Sequence, residues 1–354
     1  MSFGFMFIIV PIGLGLFLLE FYFLHKRGMP ITLEQTALNM SLGFFDRLIG
    51  LYLTERALFL VHETVSIDWI KQLPENGWTF VLTFFAVDLV WYIFHRAGHR
   101  VSLMWGIHLV HHQSEEYNLS VNFALSPLGF AIRSVMYSGL VLVGFPVEYV
   151  IMSSYLNAFY QYYLHTEFID RIPVLEHFLV MPAHHKVHHA SNEQYLDKNY
   201  GGVFIIWDKL FRSFAPKQEQ PKYGLTTALP QRDFVNIQLF FFKKLALNFK
   251  RYGVLKGLEL LWRGPEFQDA DIPKVFEVHT RVRWWKVVLG GAIYVFSYKI
   301  MIEASAVWEI LAVGVVNLLS IFLVNGIRTG TKEYSFGLAK KKEEFDSPSV
   351  SHHE

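Results

Sequence analysis

Seven largely apolar runs constrain this chain more than any other feature, because about 20 such residues in a helix cross the hydrocarbon core of a bilayer. They are Phe3–Leu24, Leu38–Val61, Trp78–Phe94, Leu128–Phe145, Val147–Tyr163, Trp284–Ile302 and Ala304–Asn325. The first has no basic stretch before it and no small-residue cleavage site after it, so it is expected to remain as an anchor. The second carries Asp46, Arg47, Glu55 and Arg56, which must face other helices or lie at the interface. Gly144-Phe145-Pro146 marks a tight hairpin between the fourth and fifth. Composition agrees: 18% of residues are charged, against about 25% in soluble domains.

Basic residues orient the spans. His25-Lys26-Arg27 follows the first, Arg281, Arg283 and Lys286 open the sixth, and Arg328, Lys332 and Lys340–Lys342 follow the last. Seven spans with the N-terminus outside put all of these on the cytoplasmic side. The expected fold is therefore an all-α integral membrane protein, a multi-span helical bundle with a histidine-rich di-metal cap in the cytoplasm. Residues 1–77 are expected to form N-terminal spans, 78–216 a histidine-rich domain, 217–283 an interfacial amphipathic region, 284–330 a C-terminal transmembrane pair and 331–354 a flexible tail. The near balance of 32 Lys+Arg against 31 Asp+Glu argues against a nucleic-acid partner.

The chain has no cysteine, so disulfides, thiolate zinc sites and iron–sulfur clusters are excluded, and any metal is held by nitrogen or oxygen. It has 16 histidines, most of them between His95 and His189. His95 and His99 form an H-x3-H, His108, His111 and His112 an H-x2-H-H, and His184, His185, His188 and His189 an H-H-x2-H-H; His165 stands between. Residues three or four apart share a helix face. Adjacent ones such as His111 and His112 point about 100° apart, so one helix can serve two metals. Imidazole suits iron, copper, zinc and nickel. One zinc needs only three or four protein ligands, and these clusters supply enough for two metals; His184 is either a ligand or a donor behind one. His177 has no partner spacing and reads as a bystander. A haem would need one or two axial histidines rather than clusters. A zinc hydrolase would want the absent H-E-x-x-H. A membrane metal transporter would place its site near the midplane, whereas these clusters sit at the ends of spans.

The segment Asp88–Phe214 resembles the fatty acid hydroxylase (sterol desaturase) superfamily of membrane di-iron oxygenases. The likeness lies in Trp91-Tyr92-Ile93-Phe94-His95-Arg96, His108–His112 with Gln113-Ser114, Tyr117-Asn118-Leu119-Ser120 and Pro182-Ala183-His184-His185-Lys186-Val187-His188-His189. Asp197–Gly202, Ile206–Phe211, His165-Thr166-Glu167 and the trailing pair of spans resemble its alkylglycerol monooxygenase-like bacterial branch. Two positions depart from that branch: Arg100 stands where an acid is usual, and Ala124 where an arginine is usual.

The resemblance implies O2-dependent oxidation of a membrane lipid, most simply hydroxylation of a C–H bond in a lipid chain or ether lipid. Sterol or lipid desaturation is the alternative within the superfamily. It implies two iron ions, O2 as co-substrate, and electrons from an external reductant, either a tetrahydropterin or a redox partner protein. The expected catalytic set is His95, His99, His108, His111, His112, His185, His188 and His189, with His165 and His184 as further metal ligands. Asp88, seven residues before His95, is expected to accept a hydrogen bond from a ligand ring, and Glu167, Asp197 and Asn199 to support ligands in the same way.

Overall fold

The computed structural model describes residues 2–29, 31–64, 71–227, 229, 232–268, 283–303 and 307–325. The expected tail at 331–354 and most of the link before the sixth apolar run lie outside these residues. Among the described residues the structure is helical, apart from two isolated bridges, Leu179 with Phe204 and Ala190 with Tyr223. In chain order the helices are α1 (Ser2–Lys26), α2 (Leu33–Phe45), α3 (Leu51–Thr64), α4 (Gly77–Arg100), α5 (Ser102–His112) and α6 (Gly129–Leu142). After them come α7 (Val147–Leu164), α8 (Pro182–His188), α9 (Ile206–Leu210), α10 (Phe234–Trp262), α11 (Trp284–Glu303) and α12 (Val307–Asn325).

Among the described residues α4 is long and apolar enough to cross a membrane, while Gly129–Leu142, Trp284–Ser297 and Ala312–Ile321 are shorter apolar helices. α4 begins at Asn76, whose side chain accepts a hydrogen bond from Thr79 N at 3.0 Å. It ends at the extended Val101, and α5 turns straight back against it. Gly98 permits that approach, since a Cβ there would lie 3.1 Å from the His108 ring. α6 and α7 are joined by the expected hairpin, with Gly144 at φ 98°. Leu58, Val87, Tyr137, Val147, Val150 and Ile151 bury one core between α3, α4, α6 and α7. A second core joins α2, α5 and α10 through Leu42, Leu109, Val110, Ile237 and Phe241.

The second apolar run is not one continuous helix. α2 and α3 are separated by a π turn, Asp46–Gly50, at the charged residues that disfavoured a lipid-facing helix. Asp46 is fully buried and accepts from Arg133 of α6 at 2.6 Å. The longest described element of the segment expected to be interfacial is α10, which breaks at Gly253 (φ 79°). Its first half packs on α5, while Val254, Leu255 and Trp262 beyond the break are exposed.

Candidate metal centre

The end of α4 supplies His95 and His99, one turn apart, and α5 supplies His108, His111 and His112. His165 caps the C-terminus of α7, and His189 that of α8, which also carries His185 and His188. These nine rings fall into two groups: His95, His99, His108, His112 and His188, and His111, His165, His185 and His189. Within each group the ring nitrogens lie within 4.8 Å of one another. The helical period explains the division. His108 and His112 share a face of α5 while His111 is rotated off it, and on α8 His185 and His189 share a face while His188 is rotated off. The groups abut, with the His112 ring stacked on His189 at 4.4 Å between centroids.

Three of the tautomers are fixed from outside. His165 Nδ1–H donates to the Gln161 carbonyl at 2.7 Å, His95 Nδ1–H to the Tyr200 carbonyl at 2.8 Å, and His188 Nδ1–H to the Lys198 carbonyl at 3.0 Å. A carbonyl only accepts, so in each ring the proton sits on Nδ1 and the Nε2 lone pair faces the group. The Nε2 atoms of His95, His99 and His188 are buried with no hydrogen-bond partner among the described residues. In the second group, Nε2 of His165 lies 3.2 Å from that of His111 and 3.1 Å from that of His185. Lone pairs gathered in this way are costly unless a cation takes them up. A metal with nitrogen bonds of about 2.1 Å fits each cluster after small ring rotations.

Burial drives the rings toward the neutral, ligating form. It pushes His165 down to about 3. It holds His108, His111, His112, His185, His188 and His189 well below the ordinary imidazole range, with neighbouring histidines adding to the effect. A pair of nitrogen-rich pockets of this kind suits divalent iron, copper or zinc rather than calcium or magnesium.

His184 joins neither group. Its Nδ1 accepts from Met181 N at 3.1 Å, so it closes the first turn of α8. His177 is exposed and belongs to neither group. Asp88 touches no histidine ring. Its Oδ1 accepts from Asn157 Nδ2 (2.6 Å) and Val203 N (2.8 Å), and its Oδ2 from Trp207 Nε1 (2.9 Å) and Phe204 N (3.0 Å). It thus pins the loop whose Tyr200 carbonyl orients His95. Asn199, at φ 56°, ties the same loop to the His184 carbonyl (3.0 Å) and the Ala215 carbonyl (2.7 Å). Asp197 Oδ1 stands 3.9 Å from His99 Nδ1, and its other oxygen pairs with Arg100 at 2.5 Å. Glu167 pairs with the buried Lys186 at 2.5 Å. Tyr162 is buried and donates to the Gly13 carbonyl of α1 at 2.7 Å.

Three residues at the site escaped the sequence reading of ligand support. Asp208 is fully buried and accepts from Tyr200 N, Gly201 N and Ser213 Oγ at 2.7–2.8 Å. Glu20 reaches from α1 to accept from Thr166 Oγ1 and Leu119 N, both at 2.7 Å, and Glu167 N at 2.9 Å, beside His165. Lys186 lies within the histidine motif itself. The available signal was a lone acid in an apolar run for Glu20 and Asp208, and a charge amid ligands for Lys186.

A cavity bordered by α3 to α7 meets the histidines at His95, His108 and His111, with Trp91, Phe94 and Gln161 beside them.

The fatty acid hydroxylase family profile matches residues 80–213, which contain every histidine of both groups. The chain is similar to alkylglycerol monooxygenase of Homo sapiens, 32% identical over 326 residues, covering 85% of this chain and 72% of that protein. The enzyme of that name from Danio rerio is 32% identical over 277 residues, 75% of this chain and 62% of its own length. Lathosterol oxidase of Mus musculus is 29% identical over 157 residues, 42% of this chain and 50% of that protein. No solved structure matches the chain.

Proposed function

Because this chain belongs to the fatty acid hydroxylase family, we propose that it is a membrane-bound oxygenase that hydroxylates a lipid C–H bond, with one iron ion in each histidine group. The carrying observation is the pair of abutting groups of five and four buried imidazoles. Two bound irons would supply O2 activation, fed by electrons from a tetrahydropterin or a redox partner protein. The chain's own residues hold the ligands neutral and fixed in tautomer, and α3, α4, α6 and α7 wall the approach against water. The relatives named alkylglycerol monooxygenase support an ether lipid as substrate. The one named lathosterol oxidase supports the second reading, desaturation of a sterol or other lipid.

A multi-pass membrane setting is supported by what the helices leave uncovered. Leu18, Leu19 and Tyr22 of α1, Trp78 and Leu82 of α4, and Val288, Phe296 and Leu319 near the C-terminus are exposed. In water such apolar surface would cost about 25 cal/mol per Å²; in lipid it costs nothing. We further propose seven spans, the histidines and the C-terminus in the cytoplasm, a catalytic domain over 78–216 and an interfacial region over 217–283.

Two measurements test the reading. Metal analysis of anaerobically purified protein should give iron near two per chain; a firm value of one removes the binuclear site. Lipidomics of a deletion strain against wild type should show a lipid class differing by one oxygen or by a lost alkyl chain. A difference of two hydrogens selects desaturation, and an unchanged lipidome with altered metal content selects a metal handler.

A further inference from the structure

The cavity that meets the histidines contains one charged group the oxygenase reading leaves without a task. Arg47, on the π turn between α2 and α3, lines the same cavity as His95, His108 and His111. Its Nη2–H donates to the Asn122 carbonyl at 3.0 Å, and its Nε–H is buried with no partner among the described residues.

Its placement is built. A π turn re-aims the side chains that follow a helix and recurs at functional sites. Gly43 packs so closely on the Leu119–Phe123 turn that a Cβ would overlap the Phe123 carbonyl, and Asn122 of that turn fixes the guanidinium. The charges of the cavity are already matched. Arg133 pairs with Asp46 behind the wall, and Glu55 accepts from Tyr155 at 2.8 Å. With the other charged side chains already partnered, a neutral oxygen takes up the free N–H of Arg47 without adding charge. The lining on α7 runs from Ile151 to Gln161, a helical rise of about 15 Å, along which the chain that such an oxygen carries would lie.

We propose that Arg47 is the specificity-determining residue of this site, its Nε–H binding a neutral ether or hydroxyl oxygen of the lipid and so setting which carbon faces the histidines. The inference rests on the lipid-oxygenase reading and adds to it the residue that selects an oxygen-bearing chain over a plain hydrocarbon. The contact is a positioning one, since Arg47 transfers neither proton nor electron.

The test is a competition on the full chain in detergent, read by native mass spectrometry, with equimolar 1-O-hexadecylglycerol, octadecane and hexadecyl phosphate. Binding needs no turnover, so the readout is independent of reductant. Wild type should retain the ether lipid over both others. Arg47→Met should lower the ether-to-alkane ratio about tenfold, the worth of one hydrogen bond from a charged donor. Arg47→Lys should restore part of it, and the metal content of both variants should stay at the wild-type value. Should Arg47→Met fail to fold, Arg47→Leu, which likewise has no donor, decides in the same way. An unchanged ratio in the variants, with wild type still choosing the ether lipid, overturns the role of Arg47 and leaves the oxygenase reading standing. Preference of wild type for hexadecyl phosphate overturns the neutral-oxygen inference. Retention of none of the three by wild type overturns both this inference and the lipid-oxygenase reading.

Discussion

Replacing Asp88 by Asn tests whether the metal groups depend on a carboxylate that touches neither of them. Each Asp88 oxygen accepts two donors, a backbone N–H and a side-chain N–H apiece. An Asn keeps one oxygen and turns an NH2 toward the other two donors, so two charge-assisted bonds are lost and donors face donors. Bonds to a charged acceptor contribute about 1.5–3 kcal/mol each, which puts the loss at about 3–6 kcal/mol. The fully buried site offers no water to offset it. The damage falls on Val203 and Phe204, three and four residues beyond the Tyr200 carbonyl that fixes His95. The thermal midpoint of purified Asp88→Asn should drop by several degrees. Its iron should fall from two per chain toward one, because His95 belongs to the five-histidine group and, among the described residues, no hydrogen bond joins a ring of the four-histidine group to this loop. Wild-type midpoint and two irons in Asp88→Asn would refute the reasoning. Loss of both irons with an unchanged midpoint would refute the separation of the groups.

His188→Ala and His111→Ala, one from each group, should each abolish lipid oxidation and release metal, while the exposed His177→Ala should keep both; equal loss in all three would remove the distinction. Gly43→Ala would drive a Cβ to 1.5 Å from the Phe123 carbonyl, so it should abolish folded yield, whereas Gly139→Ala, with open space around it, should be neutral or add about 1 kcal/mol. In the metal-free protein, burial holds His165 down at about 3 and His184 at about 4. The unfolded chain titrates near 6.5 and binds more protons below that pH, so stability should fall as pH drops from about 6.5 toward 4; a metal-free midpoint that is flat or rising over that window would contradict the burial of these rings. A reporter fused after Glu354 should be cytoplasmic, and an external signal would invert the proposed topology.

What the sequence made legible follows from what periodicity can encode. The i, i+4 spacing of His108 with His112 and of His185 with His189, and the rotation of His111 and His188 off those faces, are properties of one helix each, so the capacity to serve two metals was readable. Which rings meet depends on how α8 docks against α4 and α5, which no local period records. The break in the second apolar run was half readable. Asp46 and Arg47 flagged the place, but the partner that draws Asp46 inward is Arg133, 87 residues away. The role of Asp88 was misassigned for a related reason. Helix geometry put it near the His95 face and suggested a ring nitrogen, but two of its actual donors are the backbone amides of Val203 and Phe204. Backbone donors have no residue identity, so nothing in the sequence announces them. The trace they leave is on the acceptor side. Glu20, Asp88 and Asp208 are isolated acids in apolar surroundings, each buried and each holding two or more backbone N–H groups. A carboxylate can be tolerated there only if several donors converge on it. In a chain of this kind, then, a lone acid beside a histidine cluster reads more soundly as the clasp of a loop than as the partner of a ring.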